Sequence, residues 1–145
     1  MTEVIPSSEE PAPESEKAIM PRLSKPSREL SSRLLSQVSF NDRVLGVRSH
    51  PSGGQNWDAI YSFQEATQFM GVVGDSIYHI DSDTLKKWIG DTLGDKELAQ
   101  AIGETAKVLD SCADSWEREK KELELIVPMR ELMEERLRQA REVLG

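Results

Sequence analysis

Leu85-Lys86-Lys87-Trp88-Ile89-Gly90-Asp91-Thr92-Leu93-Gly94-Asp95-Lys96-Glu97-Leu98-Ala99 is the stretch that decides the fold class. Leu85, Trp88, Ile89 and Leu93 recur at helical spacing and make one apolar stripe. Gly94 stands where a helix wants a left-handed residue after its last turn, and Asp95 is an acceptor that caps the next helix at once. Glu97 suits the first turn of that second helix, and Leu98, Ala101 and Ile102 share its inner face. Two helices joined by Gly-Asp leave no residues for a longer loop, so the chain turns sharply there.

Upstream, Ser62-Phe63-Gln64-Glu65 fits a capping box, in which Ser62 accepts from the Glu65 amide and the Glu65 carboxylate reaches back. Phe63, Ala66, Phe69, Met70 and Val73 follow at spacings of 3 and 4, and Gly74 ends that run. Residues 76–80 alternate as a brief strand or an extended linker, and Asp81 or Ser82 caps the helix that carries Trp88. Further back, Ser27 caps a short helix over 28–38, with Leu30, Leu34, Leu35 and Val38 on one stripe. Arg43-Val44-Leu45-Gly46-Val47-Arg48 is β-like, and a lone strand needs a partner. His50-Pro51-Ser52-Gly53-Gly54-Gln55 then breaks regularity and divides an arm from the main domain.

Downstream of Glu104 nearly every residue favours helix. Leu109, Ala113, Trp116, Leu123, Ile126 and Val127 keep roughly helical spacing, with Cys112 among them. Pro128 lacks the amide and clashes with the carbonyl four residues back, costing about 3 kcal/mol inside a helix. It is better placed in the first turn of a new helix, 128–144, with a kink or break near Val127. Met129, Leu132, Met133, Leu137, Ala140, Val143 and Leu144 make that last helix amphipathic. Its spacing is that of coiled-coil positions, over two heptads. The expected fold is therefore mostly α: a small helical bundle with at most a short β-hairpin and a long C-terminal helix kinked or broken near Pro128.

Composition divides the chain the same way. Residues 1–27 contain Pro6, Pro11, Pro13, Pro21 and Pro26, and residues 1–18 hold five acids, one Lys and little to bury. This reads as a disordered tail. Residues 28–55 read as a basic arm and linker, and residues 56–145 as the helical domain. Over 19–48 six basic and two acidic side chains leave +4; over 49–145 eleven basic and nineteen acidic leave −8. An acidic domain repels nucleic acid and anionic membrane unless a basic patch is held in one place. The arm is either such a patch or a segment that folds back onto the acidic domain or simply stays solvated. A single cysteine excludes an internal disulfide and fits a reducing compartment. With no secretory leader and no run of about 18 apolar residues, the chain is expected to be cytoplasmic, without a membrane partner.

One resemblance bears on the central stretch. Its Trp88-Ile89 and Gly94-Asp95-Lys96-Glu97-Leu98-Ala99, preceded by Ser62-Phe63-Gln64-Glu65-Ala66 and Tyr78-His79, resemble the signature of an uncharacterised prokaryotic helical domain family. The resemblance covers roughly residues 60–103. Leu85 stands where that family more often has Phe, and its aromatic-rich strand is reduced to Ile60-Tyr61. It implies a small helical module and brings no activity with it.

No catalytic, cofactor or metal site is expected. Tyr78-His79 with Asp81 and Asp83 is the most site-like cluster, but the acids are better explained as helix N-terminal residues, and His50 lies far off in a Gly-rich loop. Asp91 and Asp95 are likewise read as a solvent-facing acid and a cap. Gly71-Val72-Val73-Gly74-Asp75 has no Lys-Ser/Thr to complete a phosphate loop. Cys112 has no partner pattern of a nucleophile. The three tryptophans, Trp57, Trp88 and Trp116, are read as core, with Trp57 beside a flexible loop as the candidate for exposure. The function expected is a non-catalytic protein–protein interaction module (an adaptor, subunit or small regulator). It would use the C-terminal helix residues Met129, Leu132, Met133 and Leu137, through another protein or self-association, together with the basic Arg22, Lys25, Arg28 and Arg33. Packing of that helix against 28–38 is the competing reading. Nucleic-acid or ribosome association through 22–48 is the second choice.

Overall fold

The structure, a computed structural model, describes residues 23–145. In chain order these form α1 (Arg28–Leu34), a 3-10 turn (Phe40–Asp42), β1 (Val44–Ser49), β2 (Gln55–Ile60), α2 (Phe63–Phe69), β3 (Gly71–Val73) and β4 (Ser76–His79). There follow α3 (Ser82–Lys87), which widens into a π turn (Trp88–Thr92), α4 (Lys96–Thr105), which tightens into a 3-10 turn (Ala106–Ser111), α5 (Ser115–Glu124) and α6 (Ile126–Leu144). Helix dominates, as expected.

The caps are where local chemistry puts them. Ser27 accepts from the Leu30 amide, Asp81 from Thr84 and Asp95 from Leu98. Ser62 accepts from Glu65 while the Glu65 carboxylate takes the Tyr61 amide. Gly94 has φ +82° and ends the π turn in the left-handed region where a side chain is strained. Pro128 sits in the first turn of α6, where its missing amide costs nothing. The helix break lies at Leu125, just after Glu124, whose carbonyl the proline ring would strike in a continuous helix.

The β content exceeds the expected short hairpin. Four antiparallel strands lie in the order β2-β1-β4-β3. Val44 pairs with Ile60 through to Ser49 with Gln55, and Val47 pairs on its other side with His79. Two readings are corrected here. The α2 helix stops at Phe69, so Val73 belongs to a strand and Gly74, at φ +59°, begins the tight turn between β3 and β4 rather than closing a helix. The division drawn between residues 55 and 56 also runs through the first hairpin: β1 of the supposed arm pairs along its whole length with β2.

Alternation sends Gly46, Ile60 and Tyr78 to one sheet face and Leu45, Val47, Trp57, Ile77 and His79 to the other. The first face receives α2. Phe69 meets Tyr78 edge to face, with ring centroids 5.4 Å apart, and lies so close over Gly46 that a Cβ there would overlap its ring. Helix α6 runs behind, packed on α1, α2 and α4, and its Arg130 donates to the Met70 carbonyl. Ile126, Met129, Leu132, Met133, Leu137 and Ala140 of α6 join Leu34, Phe63, Ile89, Leu98 and Ile102 in one core. Of the expected tail, residues 1–22 lie outside the described residues; Leu23 and Pro26 are buried.

Candidate interaction surface

The C-terminal helix was expected to offer Met129, Leu132, Met133 and Leu137 to a partner. All four are buried within the chain, none more than 5% exposed. The helix α1, about a hundred residues earlier, supplies the covering surface, which is the competing reading of the sequence. The stripe is core, and it is not free to dock anything in this fold.

The basic residues are dispersed by the same packing. Arg28 donates to the Val143 carbonyl near the end of α6, and Arg33 to the Leu93 carbonyl at the end of the π turn. Both are cations at helix C-termini, where unpaired carbonyls and the helix dipole favour them. Arg43 donates to the Phe40 carbonyl and lies over its ring at 3.9 Å. Lys25 is exposed, and Arg22 lies outside the described residues.

Sequence reasoning missed the ion pair that holds this arrangement together. Arg136, 1% exposed, donates to both oxygens of Asp95, itself 1% exposed, and to Glu97. It also donates to the Ser24 carbonyl, while Gln139 donates to that of Leu23. Glu97 in turn receives the Ser24 amide and hydroxyl. Burial alone would raise the Glu97 carboxyl, but these Ser24 hydrogen bonds and Arg136 hold it below its ordinary value. The network straps residues 23–24 onto α4 and α6. Nothing distinguished Arg136 from the three other arginines and four acids of the helix; only its position on the buried stripe, one residue before Leu137, was a signal.

The His79 cluster does not converge. Asp81 caps α3 with its carboxylate, and Asp83 lies 3.8 Å from Arg118. His79 is half-buried, with Nδ1 unpartnered, beside a cavity of about 300 Å³ under α5 that Glu119, Glu122 and His50 also line. Desolvation lowers its imidazole below the ordinary value against the opposing pull of Glu122 and Asp81. Among the described residues no group of three or more His, Cys, Asp or Glu is placed to hold a metal ion, and no helix is long and apolar enough to cross a membrane. Cys112 is a free thiol at the end of the 3-10 turn, outside any helix.

The second face of the sheet is open at its β2 end, and Val72 and Val73 are exposed at the far edge. Trp88 is core, but Trp57 is 62% exposed and Trp116 70%, against the expectation for Trp116. Trp57 stands beside Val47 on β1, next to Leu45, which is 43% exposed. With Val47 and Trp88 these form the apolar wall of a groove of about 690 Å³, with Arg43, Lys87, Asp81 and Asp91 on its rim. An exposed tryptophan over an apolar groove is the usual anchor of a protein interface.

The main chain of β2 is open as well. The His50 amide donates to Gly54 at 2.9 Å, which sets the alternation of the antiparallel pair. Asn56, Asp58 and Ile60 therefore turn their amides and carbonyls toward β1, and Gln55, Trp57 and Ala59 turn theirs away from the sheet. The next outward carbonyl, Tyr61, takes the Val38 amide at 2.7 Å. Among the described residues the outer edge is thus paired at 61–62 by residues 37–38 and has no main-chain partner over 55–59.

No family model matches the chain, and no curated protein and no solved structure matches it either.

Proposed function

We propose that this chain is a non-catalytic protein–protein interaction module, a subunit or small regulator that docks its partner on the β1–β2 hairpin face rather than on its C-terminal helix. The observation that carries the reading is the exposure of Trp57 and Leu45 together on one face of the β1–β2 hairpin, beside the groove walled by Trp88. A tryptophan left in water forgoes several kcal/mol of burial, which a partner restores. A cytoplasmic setting suits the free Cys112. The resemblance over residues 60–103 adds a helical module and no activity.

Nucleic-acid binding through the basic arm ranks second, because Arg28, Arg33 and Arg43 already donate to main-chain carbonyls. A photoreactive amino acid placed at Leu45, with Lys120 on α5 as control site, separates the two in cells. A protein adduct of discrete mass at position 45 and not at 120, retained through a wash at about 0.5 M salt, is expected. Adducts that nuclease removes, or none at position 45, would overturn the reading.

A further inference from the structure

We propose that the partner which closes the open edge of β2 is a second copy of this chain, pairing β2 with β2 antiparallel across a two-fold axis centred on Trp57. The inference rests on the interaction-module reading and names its partner.

The case is one of self-complementarity. A two-fold pairing must set each residue against its mirror about a centre. The outward-facing groups belong to Gln55, Trp57 and Ala59, which are symmetric about Trp57. Centred there, Gln55 meets Ala59 of the second copy, Trp57 meets Trp57, and every outward amide finds an outward carbonyl. No other centre within the unpaired span uses all three residues.

The side chains agree with that register. On the groove face the two tryptophans come together between the two Val47 side chains, making an apolar row across the axis where each tryptophan is now exposed to solvent. On the opposite face Asn56, whose carboxamide lies between Arg48 and the Gln55 carbonyl of its own hairpin, falls against Asp58 of the second copy, a neutral group facing a carboxylate. No like charges are set directly opposite. The strand itself has no Pro, no Lys and no bulge, the devices that ordinarily protect an edge from pairing. Its neighbour on the same edge, Tyr61, shows that this edge accepts main-chain pairing, since Val38 already occupies it. The span left for the second copy is bounded by Val38 at one end and by the loop at residues 50–54 at the other.

Five paired residues and two tryptophans make a small interface, so the dimer is weak, with a Kd on the order of tens of micromolar. Each copy carries −8, so screening by salt strengthens the association.

Sedimentation velocity on the full chain, from about 1 to 500 µM and at about 0.05 and 0.5 M NaCl, tests this. A monomer–dimer equilibrium that tightens with salt is expected. Asn56→Asp faces Arg48 within its own hairpin, so the fold is not penalised, yet it sets carboxylate against carboxylate across the axis. It is expected to raise Kd by about 5- to 30-fold at low salt, and less at high salt. Ala59→Pro removes an outward amide that β1 does not use and is expected to abolish the dimer while the circular dichroism stays unchanged. A chain that stays monomeric throughout overturns the second copy as partner but leaves the cross-link at Leu45 to judge the interaction-module reading separately. A dimer indifferent to both substitutions overturns this surface.

Discussion

Helix α6 and strand β2 carry the two most conspicuous apolar features outside the central helices, and the fold treats them in opposite ways. Helix α6 turns Met129, Leu132, Met133 and Leu137 inward against α1 and α4, and none of the four is more than 5% exposed. Strand β2 turns Trp57 outward and, among the described residues, leaves half its main-chain groups without a main-chain partner. The difference is not one of hydrophobicity. A stripe is covered when another element of the same chain reaches it: α1 lies on α6, but residues 37–38 stop one step short of β2. A surface open to a partner is therefore found by asking what covers each apolar face.

That contrast can be broken most forcefully at Arg136. Arg136→Leu leaves Asp95 buried without its cation and frees residues 23–24, and a loss of about 3–5 kcal/mol in urea unfolding is expected. A loss below about 1 kcal/mol would mean that α6 is not held as described. Leu132→Ala, 1% exposed in the core, is expected to cost about 2–5 kcal/mol by the same measurement. If α6 were a free partner surface the cost would be a few tenths.

Acid provides a gentler test. The His79 imidazole has its pKa lowered from 6.5, mainly by desolvation, so the neutral form is the one the fold favours. Its contribution is complete above the unfolded value of 6.5 and is lost as pH falls through the lower folded value. Glu97, lowered from 4.5 with Ser24 and Arg136 as partners, contributes above 4.5 and loses that contribution further down. Thermal stability is thus expected to fall in two stages on acidification, and His79→Gln is expected to flatten the first stage alone. The smallest expected effect on stability is at Trp57. Trp57→Ser should change unfolding free energy by no more than about 0.5 kcal/mol, because little of the ring is buried, while weakening any association through β2.

Much of the scaffold was legible because its signals are local. Ser27, Ser62, Asp81 and Asp95 cap helices within three residues of themselves, and Gly94 closes a turn beside its own helix. What was not legible depends on distant partners. Gln55-Asn56-Trp57-Asp58 has no alternation of apolar and polar residues, since neither face of an edge strand needs to be buried throughout, so β2 was not read as a strand and all but Gln55 was assigned to the helical domain. Gly74 stops a helix and starts a strand turn with the same residue, and only the pairing of Val73 with Ser76 tells them apart. The stripe of α6 is the same whether it meets α1 or another protein, and choosing between them requires knowing where residues 28–34 lie. Arg136 is ordinary until Asp95, forty-one residues earlier, is set beneath it.

The most direct measurement is residue-resolved amide hydrogen exchange on dilute protein. If β2 is the open edge and α6 the covered helix, the amides of Trp57 and Ala59 exchange rapidly while those of Asn56, Asp58 and Ile60, and of Leu132 through Leu137, are strongly protected. Uniform protection along residues 55–60, or exchange from the middle of α6 as fast as from Trp57, would contradict it.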